Sequence, residues 1–442
     1  MPPLSVTHTA RQIMHLAWPL FIGQLAVMLN GLLDTAMAGH YAAVDLAAVG
    51  IGSSIYISVY IGLMGILQAL GPIAARHYGA QALPEIAQDV RQSYWVALLL
   101  SVLGCAALLT PDWWLQLIQP DERVADKVRD YLYGVAYGLP AALLFRVYYA
   151  LNTAVARPRV VMAINLCGLA IKPLLNWLLM YQADLGGPGA ALATSGIAWL
   201  SVGLFLLFAR HDTMYRELDL WRLSRPAWGR IRALLALGIP IGMSYAIEVT
   251  SFTFMALFIA RFGVEQAAAH QIIANLCGIC YMVSLAIANA SSVLVAQALG
   301  SQESHQAQRF IKVALGLGTL ASASLILTLW LAQAPLVQLY TNATMVQEHA
   351  LSLLPLLLLY LCFDGLQCIL GFLLRAYRCT TLPMLIYGFC CWGIGLGGGY
   401  FLAFHTQQWS GAAGFWLSGA ISLLLTALCL FGVMRRRVYQ RS

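Results

Sequence analysis

Residues 239–259 read IPIGMSYAIEVTSFTFMALFI, a membrane-length stretch that is apolar on balance and carries one acid, Glu248, near its middle. A helix of about 20 such residues covers roughly 30 Å of hydrocarbon. An acid at the centre of that helix costs about 2.5–3.5 kcal/mol on insertion scales, which makes function the default reason for it. The same pattern occurs in YLCFDGLQ, residues 360–367 with Asp364, and in NGLLDTAM, residues 30–37 with Asp34. Packing alone does not need these three acids.

The rest of the chain is built alike. Its 442 residues are 60% hydrophobic and 10% charged, with a mean hydropathy of +0.75. A water-soluble domain is about a quarter charged. Apolar runs of spanning length begin near residues 14, 46, 90, 130, 160, 188, 233, 267, 311, 350, 383 and 411. They predict an all-α polytopic membrane protein of 12 transmembrane helices, with kinks or tilt expected in the second, eighth and tenth. No cleavable leader is expected, because Arg11 leads directly into the apolar segment that holds Asp34.

Most of the 25 Lys and Arg residues fall at the two ends and in alternate loops. Arg76 and Arg91, Arg157 and Arg159, the stretch Arg210 to Arg232, Arg309 and Lys312, Arg375 and Arg378, and Arg435 to Arg441 form this set. The other loops hold few, chiefly Arg123, Lys127, Arg129 and Arg261. The positive-inside rule then puts both termini in the cytoplasm and requires an even number of spans. The net charge of +7 is an orientation signal, since the aromatic interleaving of a nucleic-acid surface is missing.

An ungapped shift of 221 residues lays 18–80 on 239–301. Pro19 falls on Pro240, Tyr60 on Tyr281 and Gly79 on Gly300, and each block is followed by a similar loop, YGAQ and LGSQ. Duplication explains this. Six spans per copy give both copies the same direction, so two six-helix bundles related by a pseudo-twofold axis along the membrane normal are expected, facing across a cleft. The boundaries are an N-terminal bundle over 1–210, a cytoplasmic linker over 211–232 and a C-terminal bundle over 233–442. The linker reads as a solvated tether on the membrane surface.

Polar atoms gather on single faces of several spans. Gln24, Asn30 and Asp34 share the first, and Lys172 and Asn176 sit four apart on the fifth. Tyr245, Glu248 and Phe252 line the seventh, and Tyr360, Asp364 and Gln367 the tenth. Duplicated bundles with interior acids are the architecture of a carrier with alternating access.

These residues resemble the multidrug and toxic compound extrusion (MATE) family of transporters, in its NorM-like bacterial branch. The likeness covers essentially the whole chain. It rests on Asp34-Thr-Ala-Met-Ala-Gly, Ala-Ala-His270-Gln-Ile, Glu248, Tyr360-x-x-x-Asp364, Arg375-x-x-Arg378 before Pro383, Asn176-Trp, and the run from Gly186 to Thr194. The resemblance implies a multi-pass exporter of the bacterial cytoplasmic (inner) membrane that moves lipophilic organic cations against inward Na+ or H+ flow. It maps the cation site, with Na+ as its metal, onto Glu248 and Asp364 with Tyr360 beside them, and an N-terminal carboxylate onto Asp34 with Asn176 nearby. One position departs from the family pattern. Lys172 stands where a neutral polar residue is expected.

Two carboxylates in a poorly solvated cleft repel each other and hold a shared proton or a sodium ion, completed by oxygens such as Tyr360. The alternative for Glu248 and Asp364 is a structural pair that locks two helices. For Asp34 the sequence leaves three outcomes open: a structural ion pair with Lys172, a switch that a proton or drug breaks, or a Lys172 that snorkels to the interface beside Pro173. Asn30, Lys172, Asn176, Tyr245, Phe252 and Gln367 complete the candidate cleft, where aromatic faces beside acids favour large cations. Arg375 and Arg378 are expected to anchor the end of the tenth span, and Trp113, Trp114 and Trp409 to sit at interfaces. His270 makes either a helix contact or a proton relay.

No phosphate-binding GxxxxGK[ST] loop occurs, which argues against direct ATP use. Cys277 and Cys280 form a mid-span CxxC without partners at zinc spacing and read as packing residues. No enzyme constellation of nucleophile, base or metal ligands stands out, and no cofactor beyond the coupling ion is called for. The main alternative is a flippase of lipid-linked saccharides, but an anionic pyrophosphate needs several deep cations and the spans offer Arg146 and Lys172. The major-facilitator loop motif is not seen after the second span, and no channel filter repeat is present. A monomer suffices physically, with the lipid bilayer and the drugs as its partners and no nucleic acid.

Overall fold

The computed structural model describes residues 6–118, 120–222 and 224–439. Arg441 and Leu223, counted above with the C-terminal basic residues and the linker, lie outside them. Among the described residues twelve helices are long and apolar enough to cross a membrane. They are Val6–Tyr41, Ala43–Gly79, Leu83–Leu108, Glu122–Ala154, Pro158–Gln182 and Gly187–His211, then Trp228–Phe262, Val264–Gly300, Ser304–Leu331, Thr344–Ala376, Thr381–His405 and Ala412–Val438. No strand occurs among the described residues.

The chain divides into two compact units. One holds Ile22–Gly242, and the other holds the chain up to Phe21 together with that from Met243 onward. The boundaries fall inside the first and seventh spans, each two residues past a duplicated proline, Pro19 and Pro240. Duplication extends to backbone detail. The second and eighth spans have equal length at the offset of 221. The similar loops YGAQ and LGSQ end on Gln81 and Gln302, which take left-handed φ of 57° and 62°. Ala156 and Arg378 do the same after the fourth and tenth spans, at 58° and 57°. A left-handed residue ends a helix by turning the chain so that orphan carbonyls find donors. Short helices Pro111–Ile118 and Gln333–Tyr340 follow the third and ninth spans. Wide π-type turns occupy Trp177–Gln182 in the fifth and Gly388–Gly398 in the eleventh.

The second span breaks at Gln68–Ala69, whereas its copy runs unbroken to Gly300. The tenth is continuous, although Pro355 removes one of its backbone hydrogen bonds.

Within each unit one span is the hub. The fourth packs on the second, third and sixth, and the tenth on the eighth, ninth and twelfth. Small residues permit the close approach that membrane helices rely on. A Cβ added at Gly138 would stand 2.5 Å from Ser195 Cα in the sixth span, and Ser195 Oγ donates to Gly134 O at 2.6 Å.

The linker is not a solvated tether. Tyr215, Leu218 and Leu220 are buried, and the Tyr215 hydroxyl donates to Asn152 Oδ1 at 2.7 Å. Burial pushes the Tyr215 phenol up. Arg91 donates to the carbonyls of Leu218 and Asp219, and Trp95 to that of Ser224. Gln92 donates to Ser224 and Arg225 and accepts from Ala227 N–H. Arg157 pairs with Asp212, and Arg230 with Glu85 and Asp89. The third span offers a row of donors that satisfies the linker backbone, which the linker's charges alone do not reveal.

Candidate functional site

The tenth span places Asp364 and Gln367 one turn apart, and Gln367 Nε2 donates to Asp364 Oδ1 at 3.2 Å. Gln367 is oriented from its other end by the Tyr387 hydroxyl of the eleventh span, which donates to its Oε1. Both Asp364 and the Arg375 guanidinium lie within electrostatic reach of Glu248 of the seventh span. Glu248, Phe252, Tyr360, Gln367 and Tyr387 all line one cavity of about 40 Å³. That volume admits a small ion with a water or two, since one water needs roughly 10–15 Å³ by the same measure.

Aromatic rings wall this cavity. Tyr360 stands edge-on to Phe252 at 6.3 Å and to Trp416 at 5.3 Å, and Phe252 to Trp416 at 6.2 Å. Trp416 is held in turn, because its indole N–H donates to His270 Nδ1 at 3.3 Å. His270 is thus a buried contact between the eighth and twelfth spans. Tyr245 goes elsewhere: its hydroxyl accepts from Arg375 at 3.1 Å, and the guanidinium lies 3.9 Å over the Phe372 ring. Cys277 and Cys280 belong to the apolar core of this unit.

A second polar cluster sits in the Ile22–Gly242 unit. Asp34 Oδ1 is 3.0 Å from Lys172 Nζ and accepts from Asn176 Nδ2 at 2.8 Å. Lys172 also donates to Thr194 Oγ1 at 2.5 Å. The lysine is 1% exposed, so it pairs and does not snorkel. Asn30, one turn before Asp34, has its carbonyl oxygen buried without a partner.

Four aspartates are buried among the described residues: Asp34, Asp45, Asp89 and Asp364. Three have a cationic partner. Asp34 has Lys172, Asp45 has Lys127 at 3.1 Å, and Asp89 has Arg230 at 2.9 Å. Asp45 also accepts from the Gly187 N–H at 2.6 Å. Among the described residues Asp364 has no ion pair, and its Oδ2 has no hydrogen-bond partner. A buried carboxylate left in that state is costly unless something else neutralises it.

The MatE family model matches residues 19–178 and again 240–401. This chain belongs to the MatE family. The two matched segments start 221 residues apart, at the duplicated prolines. Relatives named "Probable multidrug resistance protein NorM" include one from Aromatoleum aromaticum, 39% identical over 99% of this chain and 96% of its own length. Another, from Neisseria meningitidis serogroup B, is 34% identical over 95% and 92%. "Multidrug resistance protein MdtK" of Edwardsiella ictaluri is 31% identical over 98% and 96%. The eukaryotic MATE transporter AtDTX14 has the same fold, with a TM-score of 0.89 at 18% identity over 99% of this chain and 98% of that one. A multidrug resistance MATE family transporter in an outward-facing conformation also scores 0.89, at 18% identity over 98% and 96%.

Of the site residues expected in this MatE chain, Glu248, Phe252, Tyr360 and Gln367 gather at one cavity, with Asp364 hydrogen-bonded to Gln367. Asp34, Lys172 and Asn176 meet at another place. Three further residues join them. Thr194 ends the run from Gly186 that carried the family likeness, so its position was visible and its role was not. Tyr387 and Trp416 gave no signal, because Tyr and Trp are ordinary packing residues in membrane helices.

Proposed function

We propose that this chain is a secondary active multidrug exporter, which exchanges lipophilic organic cations for Na+ or H+ by alternating access. The observation that carries the reading is Asp364, buried without an ion pair among the described residues, beside an ion-sized cavity that Glu248 lines. A carboxylate kept in apolar surroundings without a counter-charge is a group that takes its cation from outside the chain. Glu248 supplies a carboxylate and Tyr360 a phenol as neutral ligand at the cavity wall, and Asp364, bonded to the lining Gln367, keeps Oδ2 as an unused acceptor. These are hard oxygen donors, which suit a monovalent ion or a proton. The names of the relatives support multidrug export as the activity.

Coupling follows from competition for charge. An ion bound at the pair neutralises it and weakens attraction for an organic cation, whose ring or ammonium is otherwise held by the acids and by the faces of Phe252 and Tyr360. By linkage the loss is mutual: whatever factor the ion takes from drug affinity, the drug takes from ion affinity. Discharge of the ion on the cytoplasmic side resets the site. The cytoplasmic termini, supported by the basic ends and loops, are part of this proposal, as are the bacterial inner membrane and a functional monomer.

The flippase reading is disfavoured by what the deep cations do. Lys172 is committed to Asp34 and Thr194, and Arg146 lies 4.2 Å over the Tyr149 ring. The test is drug export from cells by Glu248→Gln and Asp364→Asn variants shown to be folded in the membrane. Each is expected to fall to the background of cells without the chain. Export at the unmodified rate would refute the role of the pair.

A further inference from the structure

We infer that the polar cluster around Asp34 is a monovalent-cation site filled from within, the Lys172 ammonium standing where a free ion would bind. Its oxygens come from two spans, Asp34 Oδ1 of the first at 3.0 Å from the ammonium and Thr194 Oγ1 of the sixth at 2.5 Å, with Asn176 of the fifth held against the same carboxylate. Thr194 has one hydroxyl hydrogen, with Asp34 Oδ2 at 3.2 Å and Ala190 O at 2.9 Å as its acceptors. Its lone pairs are thereby left for the lysine. Asn176 spends its N–H on Asp34 Oδ1, and its own Oδ1 is buried without a partner.

An all-oxygen donor set with one negative charge is the chemistry of a small monovalent cation or an ammonium. Lys172 is almost wholly buried and Asp34 nearly so, so neither exchanges its partner for water. The lysine brings its charge on a tether, at a concentration no free ion matches. Asp34 is therefore spent. It neither recruits the coupling ion nor attracts the organic cation, and the number of ions moved per drug is set elsewhere in the chain. The Asp364 side chain shows the contrast, since the described residues give it no such internal cation.

The test is a gain of binding. Purified full-length protein carrying Glu248→Gln and Asp364→Asn is titrated at equilibrium with radioactive sodium and, separately, with radioactive methylammonium. With Lys172 intact neither probe is expected to bind. Adding Lys172→Ala is expected to create a saturable site for at least one probe, and adding Asp34→Asn to that protein is expected to abolish it. Binding that depends on Asp34 while Lys172 is present would overturn the inference. So would a folded Lys172→Ala protein that binds neither.

Should Lys172→Ala fail to fold, the neutral pair Asp34→Asn with Lys172→Met in the otherwise unaltered chain decides by transport. An unchanged ratio of ions to drug supports the inference, whatever the rate, and a lower ratio overturns it. The binding arms read the cluster directly. They stand whether or not the C-terminal acids couple transport, whose failure would show as no gradient-driven export by the unaltered protein.

Discussion

Asp34 and Asp364 are the same group in the same kind of helix, and their neighbours give them different work. The first is closed by Lys172, Asn176 and Thr194, and the second has one long hydrogen bond from Gln367. Removing one partner of a buried ion pair costs about 3–5 kcal/mol, whereas replacing both by neutral groups of similar size is close to neutral. Lys172→Ala is accordingly expected to lower stability by about 3–5 kcal/mol, and Asp34→Asn with Lys172→Met by much less. Thermal unfolding of the purified protein in detergent measures both. At the other site, Tyr387→Phe deletes the hydroxyl that holds Gln367. A lost hydrogen bond of this kind is worth about 0.5–1.5 kcal/mol, so ion affinity is expected to fall by up to about tenfold with the fold intact. An unchanged affinity would mean that Gln367 needs no such support.

At the scale of elements, the twelve spans and the duplication were legible because a membrane helix announces itself by length and composition. Polar residues within one helix turn were legible too, as with Lys172 and Asn176 or Asp364 and Gln367. What escaped were partners far apart in sequence: Thr194 lies 160 residues from Asp34, and His270 lies 146 from Trp416. Ordinary packing residues acquire their role there from the fold. The linker escaped for another reason, since its many charges mask the buried Tyr215, Leu218 and Leu220. Gln92 makes three hydrogen bonds to it. Gln92→Ala is expected to cost about 1–3 kcal/mol by orphaning those groups and to speed tryptic cleavage at Arg216 and Arg222 in membrane vesicles. Cleavage at the unmodified rate would count against a latched linker. In the hub of the same unit, Gly138→Leu is expected to abolish folded protein, read by size-exclusion chromatography, because even a methyl there meets the Ser195 backbone.

The whole molecule repeats one backbone and does not repeat its chemistry. Left-handed Gln81 and Gln302 mark the shared frame, while offsetting Asp34 by 221 lands on Met255 and not on an acid. The first copy gives each of its buried aspartates a counter-ion, and the second buries Asp364 without one. On the reading proposed here, ion coupling therefore belongs to the second copy. The direct measurement is efflux of a fluorescent lipophilic cation from proteoliposomes under a sodium gradient and a proton gradient imposed separately. It compares the unaltered chain with one carrying Glu248→Gln and Asp364→Asn. If Glu248 and Asp364 couple transport, at least one gradient drives efflux through the unaltered chain and neither drives it through the variant. Folded, correctly oriented protein that responds to neither gradient, or a variant that keeps pace with the unaltered chain, would contradict it.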